Sequence, residues 1–194
     1  MNADKIRHSI DSIISLSAEE WMQLSAFIEV LSLKKNSFFL SEGQICDSIA
    51  FVNAGMLIYS KSLKNGGDIT TDFAFKGDWV TDNYSRLNQT PSFLNIKAIE
   101  DSELIIIKQE NLPTLFSKIP QFERLGRVLM EQAFIKIAQH SIDLQSFSAK
   151  ERYSRMLQKY PEVFQKIPLY HIANYLGIAP KSLSRIRNEI FHKP

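Results

Sequence analysis

The chain has 194 residues and is poor in the residue types that build covalent, metal and membrane chemistry. It has one cysteine, Cys46, which rules out an internal disulfide and an iron–sulfur cluster held by about four thiolates, and which fits a reducing cytoplasm. Cys46 stands beside Asp47 with no cation adjacent, so it reads as a small buried or strand-edge residue, not a reactive thiol. The four histidines are His8, His140, His171 and His192. None lies between Ser37 and Ile107, and that stretch therefore has no imidazole to hold a catalytic metal. No apolar run approaches a membrane span, and the opening MNADKIRHSI does not read as a secretory signal. The expectation is a cytoplasmic protein with no membrane partner. There is no glycine-rich phosphate loop and no nucleophile elbow. With no catalytic constellation in view, the chain is expected to be a non-enzyme with no cofactor and no metal.

What is present is unevenly charged. The formal net charge is +2, but from Ala149 onward nine basic residues face only Glu151, Glu162 and Glu189. The tail is thus +6 and the preceding 148 residues −4. A basic tail on an acidic body suggests that only the C-terminal part meets a polyanion.

Residues 4–33 have apolar positions at helical spacing: Ile10, Ile13 and Ile14, then Trp21, Leu24, Phe27, Ile28 and Leu31. Two helices are predicted, the second opened by a Ser17/Glu20 capping box and the segment ended by Lys34, Lys35 and Asn36. From Ser37 to Ile107 the period changes to two. The runs SFFL, SIAFV, GMLIYSKSL, ITTDFAF, FLNIKAI and ELIIIK are divided by turn residues such as Glu42-Gly43, Asn53-Ala54-Gly55 and Lys76-Gly77-Asp78. Asn65-Gly66 is a hairpin signal. Many short strands at this spacing predict an antiparallel sandwich or jelly roll. A short helix is expected at 111–116, a long proline-free one from Pro120 to about Ser146, and another over Lys150–Tyr160.

The stretch LYHIANYLGIAPKSLSRIRNEI, Leu169–Ile190, predicts two short helices around a tight turn. Ile172, Ala173, Tyr175 and Leu176 make the apolar face of the first. Gly177 can leave it through a positive φ, and Pro180 suits the first turn of the second. Leu183, Ile186 and Ile190 form a buried stripe, opposite Lys181, Ser184, Arg185 and Asn188. This is a helix-turn-helix layout, whose second helix offers polar and basic side chains to a groove.

The run IANYLGIAPKSLSRIR closely resembles the helix-turn-helix of the CRP/FNR family of bacterial transcription regulators. The strand order and the glycines of Glu42-Gly43, VNAGML and Gly77-Asp78 resemble that family's cyclic-nucleotide-binding domain. The resemblance implies an α+β chain: an N-terminal antiparallel β jelly-roll barrel with its short helices over residues 1–117, a long dimerisation helix over 118–147 and a C-terminal helix-turn-helix domain over 148–194. It implies a homodimer reading palindromic double-stranded DNA, with RNA polymerase and an unknown small-molecule effector as further partners to consider. The DNA contacts it implies are Lys181, Ser182, Ser184, Arg185 and Asn188, with Lys193 beyond them. Lys181, Ser184 and Arg185 fall on base-reading positions.

Relatives that bind cyclic nucleotides cradle the phosphate with a Gly-Glu pair at a helix N-terminus and an arginine pair further on. Here Thr81-Asp82-Asn83 stands near the first position and Ser92-Phe93 near the second. The expected effector pocket, formed by Asp82, Asn83, Arg86, Ser92 and Phe93, is therefore degenerate for cyclic AMP. Arg86, the one arginine nearby, is expected to be a solvated surface residue. The alternative reading of the whole chain is a ligand-binding regulatory protein whose helical tail docks on protein instead of DNA.

Overall fold

The computed structural model describes residues 4–64, 66–161 and 163–191. Among them are the strands β1 (Glu29–Leu33), β2 (Phe38–Leu40), β3 (Ser48–Ala54), β4 (Leu57–Ser62), β5 (Asp68–Ala74), β6 (Trp79–Val80), β7 (Asn95–Ala98) and β8 (Ser102–Lys108). Helices α1 (Asp4–Asp11) and α2 (Ala18–Ser25) precede them, α3 (Asn83–Asn88) interrupts them, and α4 (Leu112–Lys118) follows. The remaining helices are α5 (Gln121–Ser146), α6 (Ala149–Lys159), α7 (Val163–Lys166), α8 (Leu169–Tyr175) and α9 (Pro180–Phe191).

All strand pairs are antiparallel, in two sheets ordered β1-β8-β3-β6 and β2-β7-β4-β5. Leu33, Leu40, Ala50, Val52, Leu57, Ile96, Ala98 and Leu104 fill the space between the sheets. The first sheet is buried on its outer face as well. There Phe51, Ile105 and Ile107 pack against Ile6, Ile10, Leu24, Leu115 and Phe122 of the flanking helices. A strand covered on both faces has no polar side to show, which explains the near-continuous apolar runs SIAFV and ELIIIK. β4 and β5 form the expected hairpin, paired from Leu57↔Ala74 to Ser62↔Asp68; Asn65 itself lies outside the described residues.

The expected antiparallel jelly roll is present as an open sandwich of two sheets, and one other expectation needs correction. The sheets share no strand pairing, β6 has only two residues, and register shifts in the β2/β7, β3/β8 and β4/β5 pairs bend strands without joining the edges. The helical reading of residues 4–33 fails at its end. The Ser17/Glu20 capping box does open α2, with Glu20 N–H donating to Ser17 Oγ at 3.1 Å and Ser17 N–H to Glu20 Oε2 at 2.8 Å. The helix stops at Ser25, and Glu29–Leu33 runs as an edge strand along β8, from Glu29↔Ile106 to Leu33↔Ser102. Backbone pairing with a strand seventy residues away outweighs the local apolar spacing of Phe27, Ile28 and Leu31.

α5 carries the chain from the sandwich to the C-terminal helices. At 26 residues it is about 39 Å long. Phe122 and Leu125 anchor its start in the sandwich's helical layer, and Lys136 bridges to Asp72 of β5 at 2.8 Å. Further along, Met130, Phe134, Ile137 and Ile142 are exposed, Phe134 by 72%.

Candidate nucleic-acid interface and effector pocket

The two C-terminal helices are joined as the sequence suggests. Gly177 adopts φ +67°, its N–H donates to Asn174 O at 2.9 Å, and Ile178 N–H reaches back to Ala173 O at 3.0 Å. These are the two bonds of a Schellman cap, in which the left-handed residue lets the chain turn while satisfying the last carbonyls of α8. Leu183 is fully buried, and Ile186 and Ile190 are partly buried on the same core. The opposite face of α9 carries Lys181, Ser184, Arg185 and Asn188, all exposed and at i, i+3, i+4, i+7. Ser182 is only partly exposed and lies off this face, and Ser184 Oγ donates to Pro180 O at 3.1 Å. Lys193 lies outside the described residues. The neighbouring Glu189 is held by Lys150 of α6 at 3.0 Å. Among the described residues, no carboxylate is paired with Arg185, so its guanidinium is available to a ligand.

Sequence reasoning missed what holds α8. The helix lies on β5: Asn174 Nδ2 donates to Asp68 O at 2.8 Å, Thr70 Oγ1 and His171 Nδ1 are 2.6 Å apart, and the Phe73 and Tyr175 rings pack at 5.0 Å. His171 is buried, and desolvation lowers its pKa to about 4, so the ring is neutral at pH 7. Arg152 of α6 ties three ends together. It donates to Leu176 O at 3.1 Å and Leu144 O at 3.4 Å, and also to Phe147 O. The α8–β5 contacts join residues far apart in the chain, and no local pattern signals them.

Most of the residues expected to line an effector pocket bond to one another. Asp82 caps α3, its Oδ1 accepting from Tyr84 N–H at 3.0 Å and Ser85 N–H at 3.2 Å. These are the helix N-terminal amides that an anion would otherwise occupy. Ser92 Oγ closes on Asp82 Oδ2 at 2.6 Å. Asn83 accepts from Arg86 at 2.9 Å, and Arg86 also donates to Gln109. The structure therefore brings Asp82, Asn83, Arg86 and Ser92 together. Phe93 stands outside, 59% exposed, against Tyr84 with centroids 5.6 Å apart. Arg86 is not the solvated residue expected. It is 6% exposed, burial lowers its pKa, and it is paired with neutral amides while its Nε has no partner. Its burial follows from the turn Gln109–Asn111, which folds over α3 from beyond β8.

Among the described residues, no helix is long and apolar enough to cross a membrane, and no group of three His, Cys, Asp or Glu side chains could hold a metal ion. Residues 30–118, from β1 through α4, match the cyclic nucleotide-binding domain family. This part of the chain is similar to domains of that class. The chain as a whole resembles FixK2 from Bradyrhizobium japonicum, with 18% identity over 84% of each chain and a TM-score of 0.73. It also resembles CLP, a c-di-GMP responsive global regulator from Xanthomonas campestris, with 14% identity over 90% of this chain and 91% of that one and a TM-score of 0.70. A Eubacterium rectale protein described as a CRP/FNR transcriptional regulator gives 19% identity over 90% of this chain and 84% of that one, with a TM-score of 0.67. The chain thus joins a cyclic nucleotide-binding domain to further helices in the CRP/FNR fold. No curated protein sequence matches it significantly.

Proposed function

We propose that this protein is a cytoplasmic, dimeric, DNA-binding transcription regulator of CRP/FNR type that reads a palindromic operator. Residues 1–117 act as the sensor, 118–147 as the dimer helix and 148–194 as the DNA-reading part. The observation that carries the reading is the exposed face of α9, where, among the described residues, Lys181, Ser184, Arg185 and Asn188 stand free of carboxylate partners on a braced helix. A recognition helix presents its N-terminal residues to base edges; Lys181, Ser184 and Arg185 occupy its first two turns and Asn188 the start of the third. The basic balance of the tail supplies the phosphate attraction such binding needs. Selection from random duplexes tests it: an enriched inverted repeat is expected, with half-sites about one helical turn apart. No enriched sequence would favour a tail that docks on protein.

The dimer is inferred from the exposed apolar side chains of α5. A two-fold axis beside this helix would bury Met130, Phe134 and Ile137 against their own copies. The parent is expected to scatter light as a dimer at tens of micromolar and Phe134→Glu as a monomer. A parent that is strictly monomeric at that concentration sinks the two-fold arrangement.

The effector is not cyclic AMP in this reading, because the Asp82 carboxylate already occupies the amides of α3 and repels a phosphate placed there. Calorimetry with cyclic AMP and cyclic GMP is expected to show no binding at the sandwich. A micromolar dissociation constant abolished by Ser92→Ala would refute this.

A further inference from the structure

The end of α5 meets the end of α8 at one joint. His140 of α5 is stacked on Tyr175 of α8 with ring centroids 4.2 Å apart. Two residues further along α8, Gly177 lies against the last turn of α5, so closely that an added Cβ would stand 3.2 Å from Leu144 Cδ2. Between the two helix ends lies the guanidinium of Arg152, sent up from near the start of α6.

Both ends are helix C-termini, where the last carbonyls find no partner inside the helix and the aligned peptide dipoles leave partial negative charge. At α8 the cap around Gly177 uses Ala173 O and Asn174 O, and Leu176 O accepts from Arg152 Nε at 3.1 Å. At α5, Leu144 O accepts from Arg152 Nη1 at 3.4 Å, and Phe147 O accepts from the same nitrogen. One planar cation therefore serves two helices through donors that point in fixed and different directions. An ammonium at the same place would supply the charge but not the fork that holds both helices at one separation and angle.

We propose that Arg152 is a positioning residue for operator reading: by pinning the helix-turn-helix to the end of the dimer helix, it sets how far apart the two copies of α9 stand and so which half-site spacing the dimer accepts. The assignment rests on the DNA-reading role and on α5 as the dimer helix. Its logic is geometric. The contacts with β5 hold α8 to the sandwich of its own protomer. The contacts with the end of α5 refer it to a two-fold axis beside that helix, and hence to the other copy. One base pair added between half-sites displaces the second by about 3.4 Å along the duplex and about 34° around it, so a rigid joint rejects the altered operator and a loose one tolerates it.

Competition gel shifts with the full chain test this. The duplexes are the operator selected by the parent, the same operator with one base pair added to or removed from its centre, and a single half-site. The parent should prefer its own spacing by about ten-fold or more. Arg152→Ala and Arg152→Lys should each cut that preference to below about three-fold while binding the single half-site within about two-fold of the parent, with base preferences and salt dependence unchanged. Arg152→Lys keeps a cation between the helix ends, and it carries the test if circular dichroism shows that Arg152→Ala does not fold. The assignment is overturned if a folded variant still enforces the parent's spacing. It is also overturned if Arg152→Ala loses half-site and operator affinity equally with a salt slope lower by about one, the mark of a direct phosphate contact. A parent that enriches no inverted repeat overturns the reading of the chain as a DNA-binding dimer, and this assignment with it; a variant that keeps the parent's spacing overturns the assignment alone.

Discussion

Arg185→Ala should weaken binding to a selected operator by roughly 5- to 150-fold at fixed salt, the equivalent of about 1–3 kcal/mol, and should relax the preference at one base pair. Arginine can donate two parallel hydrogen bonds to guanine O6 and N7, and loss of such a pair is read at that base alone. The competing explanation for Arg185 is an intrahelical ion pair with Glu189 four residues on, worth a few tenths of a kcal/mol. The structure gives Glu189 to Lys150 instead, at 3.0 Å, and leaves Arg185 exposed. Folding should therefore be nearly indifferent to the substitution while binding is not. Competition gel shifts with single-base operator variants make the measurement. If Arg185→Ala binds as tightly as the parent with the same preference at every position, the assignment of this side chain to base reading is wrong.

The largest loss of stability is expected from Gly55→Ala. Gly55 adopts φ +89°, in the left-handed region where a Cβ is strained at a cost of about 1–3 kcal/mol. The added methyl would also stand 2.1 Å from Ser102 Oγ and 2.6 Å from Ser102 Cα. A side chain could swing away, but Cα belongs to the backbone of β8, which is paired to β1 and β3. The overlap adds about 1–3 kcal/mol more. Ser102 Oγ also accepts from Met56 N–H at 3.2 Å, so moving it disturbs the start of β4 as well. For a chain of this size the sum corresponds to a fall in Tm of very roughly 5–20 °C. Gly43→Ala separates the two causes, since Gly43 has the same φ of +89° and an added methyl there would meet nothing within 4 Å. It should lose only the strain. Equal melting temperatures for the two variants would show that contact with Ser102 costs nothing.

The parts legible in the sequence are those decided locally. The turn of the helix-turn-helix is written in Gly177 and Pro180, the strands of the sandwich in apolar alternation, and α6 opens at a Ser148/Glu151 capping box readable in retrospect. The failures have a common cause. Glu29–Leu33 carries apolar spacing compatible with a helix, and only its partner β8 makes it a strand. Arg86 looks like a loop arginine until Gln109 is folded over it. His171 and Thr70, 101 positions apart, give no sign of each other. In the candidate site, the face of α9 is readable because a helix puts i, i+3, i+4 and i+7 together. The closing of Ser92 on the free oxygen of the Asp82 cap is not, because it depends on where the chain returns ten residues later.

The seating of α8 on β5 bears on how such regulators can be recombined. Met56, Ile58 and Phe73 of the second sheet and its β3–β4 turn share one buried cluster with Tyr153, Val163, Ile172, Ala173 and Leu183. The C-terminal helices therefore do not own a complete interior; part of it is lent by the sandwich. A chimera that exchanges only residues 148–194 would set a foreign α8 on this β5 and leave a mismatched seam. The transplantable unit includes the outer face of the β4–β5 hairpin, so operator specificity and the surface of the sensor are inherited together.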